Sequence, residues 1–529
     1  MTIIKPLPAS PWRFAPAFFI PVVIFAHSWL FNPPQLWPDT GFGLLAWRNF
    51  VAGGAWNTIS EPSSANLSLN VEHVVTWWSP GQYVPLGVLT SLGLPLGTAM
   101  LVLALISAWS LTAGLVRLAR AMDSPEATLP WVAVAAAGSW HTLFAFDTFA
   151  GGEIALIAVF PWLVLLAWRL RDQPIRQILL LPPLLLAGSF AKHSFGVYAL
   201  GLLLFLWFEA VRINPRSFRT WTVAALAPAR VGVLYAVGHH LLVPDGPNPA
   251  SFDQIHHTVT ESLGFAFNGP VLAATGAGRL INYFFMRAGL FLETGWQRYA
   301  VVFALLAPVS ITLHVSLALA SRPLLRLAGI MALLAGAALA FLYWRGAFIS
   351  LDDRHFRPAG VLLLAAVASL TITPRLSTRL LVRALLTLIV IFGVGSALQR
   401  RHFTGPMVYP TEQRTAIKRF PPAAQAELKR IDLALAGGDA IIYLPLAELS
   451  PLVRRARLIV TDIFYSDGIQ RKEGPRRGRV SSLVLVLPAG FGHDQRGQTL
   501  RDSFLDYPAT AWSCRTIAGW DFWQTAPKS

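Results

Sequence analysis

Long apolar segments recur along most of this chain, and they constrain its fold more than any other feature. Between Phe14 and Gln399 these segments repeatedly reach the length that crosses the hydrocarbon core of a bilayer. The chain is 54% hydrophobic and only 13% charged, whereas a soluble protein of this length carries about a quarter charged residues. The pattern predicts an α-helical polytopic membrane protein and excludes a soluble globular one.

The basic charge of the chain is explained by its loops. The 43 Lys and Arg residues exceed the 27 Asp and Glu residues and give a net charge of +16. Arginines concentrate in alternate loops, which is the pattern of cytoplasmic loops in membrane proteins and requires no nucleic-acid partner. Cys514 is the single cysteine, so an internal disulfide and a Cys-rich metal site are excluded. The predicted cytoplasmic clusters are Lys5 and Arg13; Arg117 and Arg120; Arg169, Arg171 and Arg176; Arg212, Arg216 and Arg219; Arg322 and Arg326; and Arg375, Arg379 and Arg383.

The same alternation predicts about eleven crossings, with a cytoplasmic N-terminus, a C-terminal tail outside, and a first segment that is an uncleaved signal anchor. Two apolar segments, 82–94 and 262–292, are short or broken by Gly, Pro and Arg, so we expect them at the interface or as re-entrant segments. If both cross, the count becomes about thirteen. The predicted spans are 14–31, 97–119, 129–146, 153–170, 178–192, 194–211, 221–243, 297–320, 326–344, 358–374 and 379–398.

Composition changes after residue 398 and predicts a second domain. We expect residues 1–398 to form the transmembrane domain, with its first periplasmic loop at 32–96, and residues 399–529 to form a soluble periplasmic α/β domain. The segment 421–436 is typical of a helix, and AIIYLPL, RLIVTDIFY and SSLVLVLPAG of short buried strands. TAWSCRTIAGWDFWQTA is typical of a closing hairpin. The basic run RKEGPRRGR at 471–479 is interpreted as a solvated loop.

Ionisable residues collect in the loops predicted to lie on the outer face. Charged groups near membrane depth are costly and usually face a cavity or a partner. A carboxylate at the mouth of an apolar cavity suits a general base, and clustered cations suit a phosphate leaving group. The candidate residues are Asp39, Arg48, Glu72 and His73 in the first loop; His141, Asp147 and Glu153 in the second; Lys192 in the third; and Arg354, His355 and Arg357 in a late loop.

Each of these residues also has a purely structural interpretation. Asp39 could cap the helix that begins near Gly41, and Asp147 could be a turn residue. Glu153 could be a first-turn acid of the next helix. Arg354 and Arg357 could anchor a helix at the lipid headgroups. His256 and His257 resemble half of a metal site, but the other ligands are not evident, so no metal and no cofactor is predicted.

The first loop and its continuation resemble a known family. LWPDTGFGLLAWRNFVAGGAWNT is similar to the first-loop motif of GT-C glycosyltransferases, the polyprenyl-phosphate-sugar enzymes that include protein O-mannosyltransferases and lipid A aminoarabinose transferases. The stretch from WWSPGQYVP to the end of the next long helix resembles the family's continuation. SLDDRHFRPAG resembles its late outer-loop element. Two departures are the pair Asp39-Thr40, where the family has two acids, and Ser79-Pro80-Gly81, where it has two prolines.

The resemblance implies an activity and a role for each candidate residue. It implies transfer of a sugar from a polyprenyl-phosphate donor to a lipid, glycan or protein acceptor at the periplasmic face of a bacterial inner membrane. Asp39 would act on the acceptor as the base, with Asp147 as a supporting acid. Arg354, Arg357, Lys192 and His355 would bind the donor phosphate. The remaining candidates, Arg48, Glu72, His73, His141 and Glu153, would bind substrate.

Three alternatives remain open at this stage. An O-antigen ligase or polymerase that uses a lipid pyrophosphate would need the outer Arg and His residues but not Asp39. A transporter or flippase would carry charged or broken helices in mid-membrane and often a repeat between halves. A non-catalytic scaffold with the same fold would retain the helices and lack the transfer.

Overall fold

The structure, a computed structural model, describes residues 11–62, 70–75, 79–149, 152–212, 218–242, 257–278, 280–281, 295–347, 349, 351–399, 407–435, 440–460, 482–490, 495–502, 504 and 507–525. The predicted loop at 471–479, His256 and residues 282–292 of the predicted interfacial segment lie outside the described residues.

Helices dominate the described chain. They are α1 (Ala15–Phe31), α2 (Pro38–Val51), α3 (Val84–Ser91), α4 (Leu96–Ala121), α5 (Leu129–Gly138), α6 (Trp140–Asp147), α7 (Gly152–Arg169), α8 (Pro174–Ala191), α9 (Phe195–Arg212), α10 (Phe218–Leu242), α11 (Val259–Thr275), α12 (Gly295–Ala318), α13 (Pro323–Trp344), α14 (Arg357–Ala368), α15 (Leu376–Gln399), α16 (Pro422–Ala434) and α17 (Gln495–Asp502).

The strands are short and most lie late in the chain. They are β1 (Gln35–Leu36), β2 (Thr58–Pro62), β3 (Asn70–Val74), β4 (Thr148–Phe149), β5 (Val408–Pro410), β6 (Ala416–Lys418), β7 (Ala440–Leu444), β8 (Arg457–Val460), β9 (Ser482–Pro488), β10 (Trp512–Ile517) and β11 (Trp520–Thr525).

The chain divides into two compact units. The helical unit comprises Met1–Ser28, Val102–Phe146 and Gly152–Gln399, and the mixed unit comprises Trp29–Leu101, Asp147–Gly151 and Arg400–Ser529. The predicted boundary at residue 398 remains a prediction. The structure adds that the first loop shares a core with the C-terminal strands: Leu45 and Tyr83 are buried in the same apolar cluster as Ile442 and Val484.

The helical unit has the length and composition of a multi-pass membrane domain. Among the described residues, 8 helical segments are long and apolar enough to cross a membrane. The eleven to thirteen predicted crossings also included segments that fold into shorter helices. In α12 the apolar described part is Val302–Ala318, and α14 has 12 residues. The fold class is therefore that predicted, a polytopic helical membrane protein with a smaller α/β part.

The span predicted at 129–146 is broken in the structure. Helix α5 ends at Gly138, Ser139 is extended with φ −66° and ψ 148°, and α6 begins at Trp140. The Thr142 hydroxyl bonds to the Ala136 carbonyl at 2.7 Å, so a carbonyl released by the break finds a partner. A Cβ on Gly138 would lie 2.8 Å from a methyl of Val390, so α15 packs too closely there for a larger residue. The break is what gives His141 its own short helix.

The segment predicted as interfacial or re-entrant contains a regular helix. Thr258 and Glu261 form a reciprocal capping box at the start of α11, and Gly276, with φ 72°, ends the helix in the left-handed region. The Asn268 side chain donates to the Phe303 carbonyl at 2.8 Å and accepts from the Ser310 hydroxyl at 2.6 Å. These buried bonds fix α11 against α12 within the helical unit.

The C-terminal strands of the mixed unit form a five-stranded sheet of order β10-β11-β9-β7-β8. Strand β7 pairs in parallel with both β8 and β9, and β10 and β11 form an antiparallel hairpin. In β9 the residues Ser482–Leu487 are all buried, as expected for a central strand covered on both faces. The predicted helix and the closing hairpin of the C-terminal part are confirmed, and so are the strands within the described residues, with RLIVTDIFY described only as far as Val460.

Candidate functional site

A buried ion pair connects two helix ends in the helical unit. The Lys192 ammonium donates to the Glu153 carboxylate. Glu153 lies in the first turn of α7, and Lys192 directly follows the last residue of α8. Their side chains are only 5% and 20% exposed. Arg354 and Arg357 also act electrostatically on the Glu153 carboxylate, so one buried acid faces three cations.

A second set of contacts joins α14 to α6. The Arg357 Nε donates to Nδ1 of the buried His141 at 3.0 Å. Because Nδ1 accepts that bond, the ring proton is on Nε2. His141 Nε2 lies 3.5 Å from an Asp353 carboxylate oxygen, an ion-pair distance without a hydrogen bond. Burial alone would raise the pKa of Asp353, but His141 and then Arg357 hold that pKa below its usual range.

Asp352 organises the turn that carries the arginines. Its carboxylate accepts from the Arg354 amide at 2.9 Å and lies 3.2 Å from the Arg354 guanidinium. This caps the short 3-10 helix Asp353–Phe356, which leads directly into α14. Burial raises the pKa of Asp352 although Arg354 opposes the shift. Asp352 therefore fixes Arg354 within the turn, and Arg357 begins α14 directly after it.

His355 differs from its charged neighbours. Burial, with Lys192 and Arg354 adding to it, lowers the pKa of His355 well below its usual value. Its ring is therefore neutral near pH 7, and it can offer a phosphate a hydrogen bond but no positive charge. Its backbone carbonyl accepts from the Tyr198 hydroxyl at 2.6 Å, which ties the turn to α9.

Two glycines allow the chain segments that carry these polar residues to approach one another closely. A Cβ on Gly188 would lie 2.4 Å from the Phe195 ring, so a larger residue would separate α8 from α9 and move Lys192. A Cβ on Gly278 would lie 2.8 Å from the Asp353 carboxylate. We call the assembled group the polar cluster; it comprises His141, Glu153, Lys192, Asp352, Asp353, Arg354, His355 and Arg357.

The other predicted site residues belong to the mixed unit, and Arg48 has a structural role there. Its guanidinium donates to the carbonyls of Val453 and Ala456. Asp432 accepts from the amides of the same turn and acts electrostatically on Arg48. Burial lowers the pKa of Arg48 although Asp432 opposes this. Arg48 was predicted to bind substrate, and its contacts favour attachment of α2 to the C-terminal part.

The remaining predicted site residues, also in the mixed unit, lie in its first helix, in a short strand and at the end of α6. Asp39 is half-buried in the first turn of α2, whose N-cap is Trp37, so the interpretation of Asp39 as the N-cap is wrong. Glu72 and His73 lie in β3, opposite Ser60 and Ile59 of β2. Asp147 is the last residue of α6. The side chains of His73 and Asp147 lie outside the described part of the structure.

Sequence reasoning did not assign a site role to Asp352, Asp353 or Tyr198. The two aspartates stand beside the selected arginines, and their adjacency to three cationic positions in SLDDRHFRPAG was the available signal. Tyr198 lies within the apolar helix α9. Only the packing of that helix brings its hydroxyl to the His355 carbonyl, so no sequence signal identified it.

The polar cluster can bind an anion and hold its charge away from water. Arg357 and Glu153 lie in the first turns of α14 and α7, and the positive ends of helix dipoles favour anions. A cation at a helix N-terminus is unfavourable by itself, so the placement of Arg357 is best explained by the anions around it. Among the described residues, no group of three or more His, Cys, Asp and Glu side chains could hold a metal ion.

Fold and site together define a multi-pass helical membrane protein with a buried cation and carboxylate cluster among its helix ends. No family model and no curated protein matches the chain. Two crystal structures of ArnT from Cupriavidus metallidurans are similar to it, one in the apo state and one bound to undecaprenyl phosphate. Their sequence identities are 13% and 12%, both TM-scores are 0.49, and each alignment covers 98% of this chain and 100% of ArnT.

Proposed function

We propose that the protein is a membrane glycosyltransferase that transfers a sugar from a polyprenyl-phosphate donor to a lipid, glycan or protein acceptor. The observation that carries the proposal is the convergence of Lys192, Arg354 and Arg357 on one buried position. Three cations at the ends of apolar helices match a phosphate that is held by a lipid tail. The resemblance of the first loop to GT-C glycosyltransferases is the basis for proposing that a sugar is transferred and that an acceptor is deprotonated.

In the proposed reaction, an acceptor oxygen forms a bond to the anomeric carbon of the sugar, and the bond from that carbon to the phosphate oxygen breaks. The acceptor proton passes to the Asp39 carboxylate, and Asp147 acts as a supporting acid. The electron pair of the broken bond stays on the phosphate. Stabilisation of this growing negative charge by Lys192, Arg354 and Arg357 is the larger contribution to rate. A single displacement of this kind inverts the anomeric centre.

The proposed location is a bacterial inner membrane, with the polar cluster on the periplasmic side and the N-terminus in the cytoplasm. The arginines near the other ends of these helices support this orientation, because short cytoplasmic loops are enriched in Lys and Arg. Arg169 closes α7 and Arg212 closes α9, while Lys192 lies between α8 and α9.

Replacement of the proposed base tests the function most directly. In a strain that lacks the gene, Asp39→Asn is expected to abolish the envelope-glycan modification that wild type restores, with a rate loss of roughly 100-fold or more. The modification is measured by chemical analysis of the envelope glycans, and membrane abundance is measured in parallel.

Asp172→Asn is the matched control, because Asp172 is a 72% exposed carboxylate that pairs with the adjacent Arg171. It is expected to behave like wild type. Full activity of Asp39→Asn at normal abundance would remove the proposed base and favour an O-antigen ligase-like enzyme that acts without it. An unchanged glycan profile in the deletion strain would favour a transporter or a scaffold.

A further inference from the structure

Glu153 is placed where an incoming phosphate would need to bind. Its side chain is 5% exposed and receives the Lys192 ammonium. Arg354 and Arg357 are the next charges that act on it. Its position in the first turn of α7 adds the positive end of that helix. These are the interactions that a bound phosphate would use.

The other two carboxylates of the cluster have different partners. Asp352 contacts the amide and guanidinium of Arg354, and Asp353 contacts the His141 ring. Each of them belongs to the same turn as the arginines and holds that turn in place. Glu153 comes from a different helix, and the cation it contacts comes from a third, so this pair can separate without unfolding the turn.

Burial explains why a resident acid is needed. A lysine taken out of water without a counter-charge is strongly unfavourable. Burial lowers the pKa of Lys192, and the Glu153 carboxylate is the largest influence that opposes this shift. Without Glu153, Lys192 would attract any anion within reach. A bilayer surrounds such a site with phosphodiester headgroups, each carrying one negative charge.

We propose that Glu153 is an internal counter-anion that the substrate phosphate displaces from Lys192, so that the resting site is protected from ordinary phospholipid headgroups. This inference rests on the proposed function, because it assumes that the polar cluster binds a lipid phosphate. A phosphate can bind Lys192 only if the bond between Lys192 and Glu153 breaks. This requirement lowers the affinity of the site for every phosphate. Weakly held headgroups are thereby excluded, and the phosphate product can leave.

The sign of one substitution separates this role from a positioning role. If Glu153 competes with the ligand, Glu153→Gln tightens phosphate binding, on the order of tenfold. If Glu153 only orients Lys192, the same substitution weakens binding. The purified full chain is placed in phosphatidylcholine nanodiscs, and binding of undecaprenyl phosphate and of phosphatidylglycerol is measured near neutral pH. Wild type is expected to bind the first and not the second, and Glu153→Gln is expected to bind both.

Thermal unfolding supplies a second measurement. Glu153→Gln is expected to unfold at a lower temperature than wild type without ligand, and undecaprenyl phosphate is expected to raise that temperature more than it does in wild type. Glu209→Gln is the matched control, because Glu209 forms a buried pair with Arg326 elsewhere in the helical unit. It should lose stability in the same way while its phosphate affinity remains that of wild type.

The remaining outcomes separate a failure of this inference from a failure of the proposed function. Equal or weaker phosphate binding by a folded Glu153→Gln variant would overturn the inference and leave the proposed function intact. If that variant does not fold, Glu153→Asp replaces it: its shorter carboxylate withdraws from Lys192, so tighter binding is expected and weaker binding overturns the proposal. Failure of wild type and of all variants to bind undecaprenyl phosphate would overturn the phosphate site itself, and with it the proposed donor.

Discussion

Two groups of buried charges in the helical unit contain the same residue types and have different partners. In the polar cluster, Lys192, Arg354 and Arg357 contact carboxylates and an imidazole. In the second group, Arg326 pairs with both carboxylate oxygens of Glu209 at 2.5 and 2.6 Å and also donates to the carbonyls of Ala320 and Ser321. We call this second group the arginine end.

The partners at the arginine end explain its role. Ala320 and Ser321 follow the C-terminus of α12, and Arg322 reaches the Ser369 carbonyl just beyond α14 at 3.3 Å. Arg383 bonds to the Thr371 carbonyl at 3.1 Å. Carbonyls beyond a helix end lack an intrahelical donor and attract cations. These arginines therefore complete helix termini, and no ligand could replace a backbone carbonyl.

The partners of buried cations therefore distinguish a binding site from a structural group of charges in this membrane protein. Cations bonded to backbone carbonyls at helix C-termini are permanently satisfied. Arg357, at the start of α14, gains nothing from that helix. It bonds to the His141 ring and is attracted by the nearby carboxylates, whose place an anion can take.

The largest contrast is expected between Arg357→Ala and Arg326→Ala. Arg357→Ala should lose transfer activity and undecaprenyl phosphate binding by roughly 100-fold while the protein remains folded, because one stabilising donor of the leaving phosphate is removed. Arg326→Ala should lose about 3–5 kcal/mol of stability, because Glu209 is left buried and unpaired, but keep its activity per folded molecule. Ligand binding and thermal unfolding of both variants measure this. A reversed pattern would contradict the assignment of the two groups.

An intermediate effect is expected from the pH dependence of Lys192. Burial lowers the pKa of Lys192 below its usual value although Glu153 opposes the shift, so its positive charge is lost as pH rises through this lowered pKa. Phosphate affinity should therefore be full at lower pH and fall on the alkaline side, before an ordinary lysine would lose its proton. Lys192→Arg should move this fall to higher pH, because a guanidinium keeps its proton. Binding measured across a pH series tests this, and identical profiles would show that Lys192 does not contact the phosphate.

The smallest effect is expected from an exposed pair. Arg120 and Glu126 form a bond of 2.6 Å, with side chains that are 53% and 57% exposed. Water screens such a pair, so Arg120→Gln should change stability by only about 0–1 kcal/mol and leave phosphate binding unchanged. Thermal unfolding of Arg120→Gln and of Arg326→Ala, measured under the same conditions, provides the comparison. A loss as large as that of Arg326→Ala would mean that bond geometry, rather than burial, decides which charges matter.

The fold was largely predictable because its signal is local. Apolar length, alternate arginines and the buried strands after residue 440 each depend on neighbouring residues alone. The break at Ser139 was not predictable from the apolar run around it, and the close packing of Val390 on Gly138 beside the break joins residues more than 250 positions apart in sequence. The role of Arg48 depends in the same way on carbonyls more than 400 positions away.

The candidate site shows the same division. Residue type was enough to select the candidates, because an ionisable side chain near membrane depth is costly and usually faces a cavity or a partner. The three-dimensional packing was needed to show that His141, Lys192 and Arg357 belong to one cluster and that Arg48 bonds within the mixed unit. It also showed that Glu153 faces the cations. These relations arise from helix packing, which brings together residues whose separation along the chain carries no information about their distance in space.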